Sequence, residues 1–321
     1  MDPSTGAVPR REPVLLMAAL HAPTQASLEE RYDVHRFWCA EDPSALLVRL
    51  APSCRVVVTG GSRGIDATTM AALPRLQLVS SFGVGVDAID LNHARQRGIV
   101  VTNTPDVLTE DVADLAIALL LASIRRIPQA DRFVREGRWA QAAFGLTPSL
   151  QRRRVGIIGL GRIGLAIAQR CAAFNTDVRW YGPRPKPDCA FYRHNDPVEL
   201  ADWADILIAA CPGGPDTRGI VSRGVLQALG PQGVFVNIAR GSVVDEPALI
   251  DLLSSGKLGG AGLDVFDNEP RIDPRFFGLD NVVLHPHQGS ATHSTRAAMG
   301  DLVLKNVAAW LAGDPVLTPV F

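Results

Sequence analysis

The chain has 321 residues, 47% of them hydrophobic and 20% charged, with a formal net charge of -1 at pH 7. That length suffices for two domains with sizeable cores, and the near-neutral balance excludes a basic nucleic-acid surface and an acidic solvating tail. Five cysteines (Cys39, Cys54, Cys171, Cys189, Cys211) with no C-x-x-C pair argue against a disulfide framework, and no run is long enough to span a bilayer.

Met1–Pro13 is rich in Pro, Arg and Ser/Thr and reads as a disordered tail. Arg10 and Arg11 before Val14–Leu20 imitate a signal peptide, but the apolar run is short and Glu12 and Pro13 interrupt it. A first buried strand, and with it a cytoplasmic location, is the better reading. Strands are expected at Val14–Ala19, Arg55–Thr59, Leu76–Ser80 and Ile99–Thr102, with Asp33–Trp38 extended. Helices are expected at Gln25–Arg31, Pro43–Leu50, Asp66–Leu73 and Leu91–Arg97. Such alternation implies a parallel sheet with helices on both faces. The Gly60–Gly64 loop of this first unit lacks a complete glycine motif and is set aside as the main cofactor site.

Asn103-Thr104-Pro105 breaks the pattern as a hinge, and Val107–Ile124 carries apolar residues at helical spacing. Arg125–Gln151 starts helical, then becomes an irregular arm with Trp139, Phe144 and Pro148, read as a subunit contact with local packing as the alternative. A second α/β unit runs from Arg154. Its strands are expected to begin there and to recur at Asp177–Tyr181, Ile206–Ala210, Gly233–Ile238, Gly260–Val265 and Asn281–Leu284. Helices are expected from Leu165, from Val198, at Gly224–Leu229, Glu246–Ser254 and Ala297–Ala312, before a closing segment Pro315–Phe321.

The second unit opens with Val155, Ile157 and Ile158 as a buried strand, then Gly159-Leu160-Gly161-Arg162-Ile163-Gly164 at G-x-G-x-x-G spacing. The first glycine permits a tight turn, the second admits a pyrophosphate to the backbone, and the third lets helix pack on strand. A plain βα turn and a methyltransferase loop are rivals; the strand before and the helix after favour a dinucleotide. At the end of the next strand an NAD site carries an acid for the ribose hydroxyls. Here Tyr181 is followed by Gly182-Pro183-Arg184-Pro185-Lys186-Pro187-Asp188, with no acid at the strand end. Arg184 and Lys186 suit a 2′-phosphate, so the expected cofactor is NADPH/NADP, with NADH weaker.

Three later segments carry chemistry together. Asn237–Gly241 presents Arg240, Gly262–Pro270 presents Asp264 and Glu269, and His285–Ser290 presents His287. An arginine can hold the carboxylate of a 2-oxo acid and polarise its carbonyl, and a histidine can donate the proton. A carboxylate behind that histidine favours its charged form. His285 reads as structural, and no carboxylate or cysteine set joins His285 and His287 to make a metal site.

With these segments, the glycine motif, Ser81–Asp87, Asn103–Thr109 and Gly289–Arg296, the chain resembles the D-isomer-specific 2-hydroxyacid dehydrogenases. It looks closest to the hydroxypyruvate/glyoxylate and hydroxyphenylpyruvate reductase branch. The resemblance implies two doubly wound parallel-sheet domains, a Rossmann coenzyme domain (103–289) inserted into a flavodoxin-like substrate domain (1–102 and 290–321), and a homodimer. Thr102–Pro105 and Pro286–Gly289 are then the crossings, and substrate is expected to favour a closed form. Arg240, Glu269 and His287 fall on the family's catalytic positions. Val84 and Gly85 fall on its substrate-carboxylate loop, beside Arg240 and His287. Pro183, Cys211, Pro212, Thr217, Ile238, Ala239, Arg240, Asp264, His287 and Gly289 join the glycine motif and Arg184–Lys186 as cofactor positions. Val86 and Gln288 depart from the common pattern.

The expected activity is NADPH-preferring reduction of a small 2-oxo acid such as hydroxypyruvate or glyoxylate, with aryl pyruvates as the alternative. No nucleic-acid or membrane partner is expected. A dinucleotide-sensing, corepressor-like protein is the rival from another class, since fold alone cannot separate them and turnover can. Phosphoglycerate dehydrogenase fits less well, because a regulatory extension is not expected. Formate dehydrogenase fits less well still, because it needs no Glu–His proton donor.

Overall fold

A computed structural model describes residues 11–321. The described residues divide into two compact units, one running to Leu108 and taking up Thr292–Phe321, the other Thr109–Ala291. The crossings thus follow Leu108 and Ala291. Asn103 and Thr104 stay with the first unit for a local reason. Asn103 Nδ2 donates to the Val84 carbonyl (2.8 Å), and the Thr104 N–H donates to the Gly83 carbonyl (3.0 Å).

The first unit has five parallel strands: β1 (Pro13–Leu16), β2 (Asp33–Arg36), β3 (Val56–Gly60), β4 (Leu78–Phe82) and β5 (Val100–Thr102), ordered β2-β1-β3-β4-β5. This is the flavodoxin-like order. Val14, Leu15, Leu16 and Val56–Val58 are fully buried, as a parallel sheet covered on both faces requires. Each such side chain contributes about 1.5–3 kcal/mol on burial. The expected tail is corrected at its end. Pro13 begins β1, Glu12 accepts a hydrogen bond from Arg55 (2.8 Å), and the Arg11 side chain reaches the Glu29 carbonyl. The remainder of that expected tail, 1–10, lies outside the described residues. The extended stretch expected over Asp33–Trp38 ends at Arg36, where Phe37–Cys39 turns as a 3-10 helix. The last helix begins at His293, four residues before the expected Ala297, because Thr292 Oγ1 accepts the Thr295 N–H and caps it. Buried Asn306 on that helix grips the main chain at Leu317 and Thr318, seating the closing segment beside β5.

The second unit has seven parallel strands. They are β6 (Arg154–Ile158), β7 (Asp177–Tyr181), β8 (Tyr192–His194), β9 (Ile206–Ala209), β10 (Val234–Asn237), β11 (Gly260–Leu263) and β12 (Val282–Leu284). Their order, β12-β11-β10-β9-β6-β7-β8, reverses between β6 and β9. That reversal is the switch point where doubly wound sheets bind ligands, beyond the carboxyl ends of the strands. The fold class is therefore the expected one, two parallel α/β domains. β8 was not foreseen: it is three residues long and exists by pairing with β7, Trp180 opposite Arg193. Among the described residues no helix is long and apolar enough to cross a membrane.

Candidate active site

At the switch point the three glycines of the β6 turn have separate jobs. Gly159 has φ +94°, and a Cβ there would meet the Cys211 main chain at 2.6 Å, so the turn after β6 lies against the turn after β9. A Cβ on Gly164 would meet the Gly159 carbonyl oxygen at 2.1 Å, which lets the helix Arg162–Ala173 start directly over the strand. A Cβ on Gly161 would meet nothing within 4 Å. Gly161 therefore leaves room at the amino end of a 12-residue helix, where free N–H groups and the dipole favour a phosphate. Leu160 is buried, so only its main chain can serve a ligand, whereas Arg162 is exposed. Ile163 lies in the first turn of the helix. Cys211 is buried, and burial pushes its thiol up to about 11, so it is an inert wall. Pro212 is exposed, and its carbonyl accepts from Thr217 Oγ1 (2.6 Å), closing that turn.

Pro183, Arg184 and Lys186 are exposed beyond the end of β7, and neither Arg184 nor Lys186 has an acidic partner among the described residues. The base of this loop is held by a residue the sequence reading missed. Arg193 on β8 donates twice to the Gly182 carbonyl (2.9 and 2.8 Å) and once to Asn195 (2.8 Å). Nothing in the local sequence marks Arg193, because its role depends on β8 pairing with β7.

Arg240, Glu269 and His287 belong to the turns after β10, β11 and β12. His287 Nδ1 lies 2.6 Å from Glu269 Oε2, and the other carboxylate oxygen accepts the Phe266 N–H (2.9 Å). Burial pushes the Glu269 carboxyl up. The His287 hydrogen bond, the Phe266 N–H and the charges on His287 and Arg240 outweigh it, so the group lies below the usual carboxylate range. Glu269 is thus an anion behind an imidazole whose side chain is 38% exposed, leaving Nε2 available to substrate.

Buried groups fix this arrangement. Asn237, fully buried at the end of β10, donates to the Arg240 carbonyl (3.0 Å) and accepts the Ala239 N–H (3.0 Å). It sets the turn that carries Arg240 and buries Ile238 and Ala239. A Cβ on Gly241 would overlap the Phe266 main chain at 1.9 Å, so the Arg240 turn and the Glu269 turn are in backbone contact. Glu246 Oε2 accepts the Asp267 N–H (2.9 Å) from below. Burial pushes the Glu246 carboxyl up, with Asp267, Asp273 and Glu269 adding to the effect and the Asp267 N–H opposing it.

Asp264 is 2% exposed, and its two oxygens take three contacts: His285 Nδ1 (2.7 Å), the Gln288 N–H (2.8 Å) and the Gly289 N–H (2.9 Å). Its own carbonyl accepts the His287 N–H (2.8 Å). His287 sits at φ +52°, a left-handed conformation that this clasp holds in place. His285 is therefore part of the clasp. Among the described residues no group of His, Cys, Asp and Glu could hold a metal ion.

Val84 and Gly85 lie in the first unit, in the turn after β4. Val84 is 36% exposed, whereas Val86 packs against the core of that unit. The departure at Val86 thus falls on a core position.

These strand-end turns can bind a dinucleotide, hold a carboxylate near a guanidinium, and deliver a proton through a carboxylate-backed histidine. Comparison with known proteins agrees. Residues 117–289 match the family described as D-isomer specific 2-hydroxyacid dehydrogenase, NAD binding domain. The chain is 50% identical over 307 residues to glyoxylate/hydroxypyruvate reductase A of Arabidopsis thaliana, covering 96% of this chain and 98% of that one. It is 48% identical to hydroxyphenylpyruvate reductase of Plectranthus scutellarioides, with the same coverage. A solved structure of NADPH-dependent glyoxylate/hydroxypyruvate reductase from Sinorhizobium meliloti, in complex with NADP and malonate, superposes with a TM-score of 0.91 at 43% identity, covering 97% of each chain. A glycine turn, a guanidinium and a Glu–His pair on the same strand ends, matched along nearly the whole length, place this chain in the D-isomer-specific 2-hydroxyacid dehydrogenase family.

Proposed function

We propose that the protein reduces small 2-oxo acids, hydroxypyruvate and glyoxylate first among them, to D-2-hydroxy acids with NADPH. The observation that carries this is the Glu269–His287 pair at 2.6 Å on a turn clasped by Asp264. The nicotinamide supplies the hydride. His287 Nε2 gives the proton to the carbonyl oxygen, and Glu269 stabilises the imidazolium beforehand. Arg240 polarises the carbonyl and holds the carboxylate. Named relatives that act on glyoxylate and hydroxypyruvate, one of them solved with NADP, support this substrate class and cofactor. Arg184 and Lys186, without an acidic partner among the described residues, support a 2′-phosphate. The arm exposes Trp139 (68%) and Leu146 fully, which supports a homodimer.

Aryl pyruvates are the second reading. It rests on a cavity of about 350 Å³ beside His287, lined by Phe266, Ile272, Phe277 and Leu284. Initial rates with NADPH and NADH across small and aromatic 2-oxo acids test both readings. Preference for aryl pyruvates would select the second. NADPH binding with negligible turnover of any 2-oxo acid would replace both with a sensor.

A further inference from the structure

Arg296 lies in the first turn of the helix His293–Ala312. A cation there faces the positive end of the helix dipole, so helix stability does not account for it. Its guanidinium lies 5.6 Å from the ring of Phe82, the last residue of β4, which is 6% exposed. Among the described residues its side chain makes no hydrogen bond and no ion pair. Burial pushes the guanidinium below its ordinary range, and no carboxylate opposes that effect. A half-buried guanidinium without a counter-ion is an arrangement that folding alone disfavours.

The chain leaving Phe82 is Gly83-Val84-Gly85. Gly83 is spoken for, its N–H donating to Thr104 Oγ1 (3.1 Å) and its carbonyl accepting from Thr104. The Val84 carbonyl is held by Asn103. The N–H groups of Val84 and Gly85 donate to nothing among the described residues. Two free N–H donors thus follow, by two and three residues, the phenylalanine whose ring carries an uncompensated guanidinium, all within the first unit.

We propose that Arg296 is a substrate-binding residue that supplies a positive charge, in addition to that of Arg240, for the 2-oxo acid's carboxylate at the Val84–Gly85 turn. This rests on the assignment of that turn to the carboxylate. The planar fork suits a carboxylate bidentately, and Phe82 holds the guanidinium plane from one side. The charge remains uncompensated until substrate arrives, so its desolvation weighs against the free protein and favours the anion complex.

The test compares an acid with its neutral ester. Arg296→Met keeps the apolar stem against Phe82 and removes the charge. In the NADP-loaded variant, the Kd for oxalate by calorimetry should rise about 10- to 100-fold, the range of a lost hydrogen bond to a charged group. The KM for glyoxylate should rise by a similar factor, while kcat/KM for methyl glyoxylate and the Kd for NADPH stay within about twofold. Arg296→Lys, which keeps the charge without the fork, should recover part of the loss, and it serves alone if the Met variant does not fold. Unchanged oxalate affinity in either variant would overturn the proposal. So would an equal loss for the acid and the ester, which is what packing on Phe82 alone predicts. A wild-type protein that binds oxalate through Arg296 and reduces no 2-oxo acid would overturn the reductase reading and leave this site standing.

Discussion

The two units carry glycine-rich turns at the ends of comparable parallel strands, and the turns do different work. After β3, Gly60-Gly61-Ser62-Arg63-Gly64 leads into a helix of only five residues. Gly64 has φ +58°, and a Cβ there would lie 1.8 Å from the Ala88 carbonyl oxygen, whereas a Cβ on Gly61 would only touch the Gly85 carbonyl oxygen at 3.4 Å. Gly64 thus lets one turn lie on another. After β6, Gly161 opens onto empty space ahead of a 12-residue helix. At Gly64 the missing Cβ faces main chain and at Gly161 it faces open space, and only the second lies ahead of a helix long enough to offer a phosphate its amino end.

The proposed proton transfer belongs to the strand ends of the second unit, and the largest effect tests that. His287→Ala should lower kcat about 10²- to 10⁴-fold, the usual worth of a positioned proton donor, with NADPH affinity little changed. Near-normal turnover would break the assignment. Next, Gly64→Ala should destabilise the protein by at least ~2 kcal/mol in chemical denaturation, because a disfavoured φ combines with backbone overlap. A wild-type midpoint would show that the first turn is not packed as described. Arg184→Ala should weaken NADPH by about 1.5–3 kcal/mol and barely change NADH, as read from kcat/KM with each cofactor. Equal losses for the two cofactors would deny the 2′-phosphate contact. Gly161→Ala sharpens the contrast with Gly64: thermal stability should hold while the NADPH Kd rises about tenfold, as a methyl enters space meant for pyrophosphate. Loss of stability without loss of affinity would reverse the reading.

The smallest effect is on the pH profile. Glu269 has its carboxyl held low, so the favourable pairing persists above the ordinary carboxylate range and is lost only as pH falls through the lowered value. Glu269→Gln removes the anion that favours the imidazolium, so reduction should fail first on the alkaline side. A profile that narrows only on the acid side would contradict the pairing.

Much of this was legible beforehand because local signals and tertiary demands agree. β7 and the helix Glu246–Ser254 occupy the residues expected of them, and Arg240, Glu269 and His287 all follow apolar strands. The misses share a cause. β8 has no periodicity of its own and is made by pairing with β7, so Arg193 and its grip on Gly182 were invisible. Asn237 and Glu246 act on main-chain groups whose positions exist only after the strands assemble. Arg296 stood in a matching segment, but its lack of a counter-ion is a property of the folded unit.

The Asp264 clasp has a further consequence for how this site can change. Two of its three contacts go to peptide N–H groups, at Gln288 and Gly289, which every residue except proline supplies. The side chain at 288 is exposed and makes only a 3.4 Å contact with the Pro286 carbonyl. Position 288 is therefore free to drift without moving the imidazole beside it, which accommodates the departure at Gln288 from the family pattern. Position 289 has no such latitude, because a Cβ there would stand 3.2 Å from Asp264 Oδ2 and 3.4 Å from Val112. Of two adjacent residues on the catalytic turn, one is a site where variation can accumulate and the other is not.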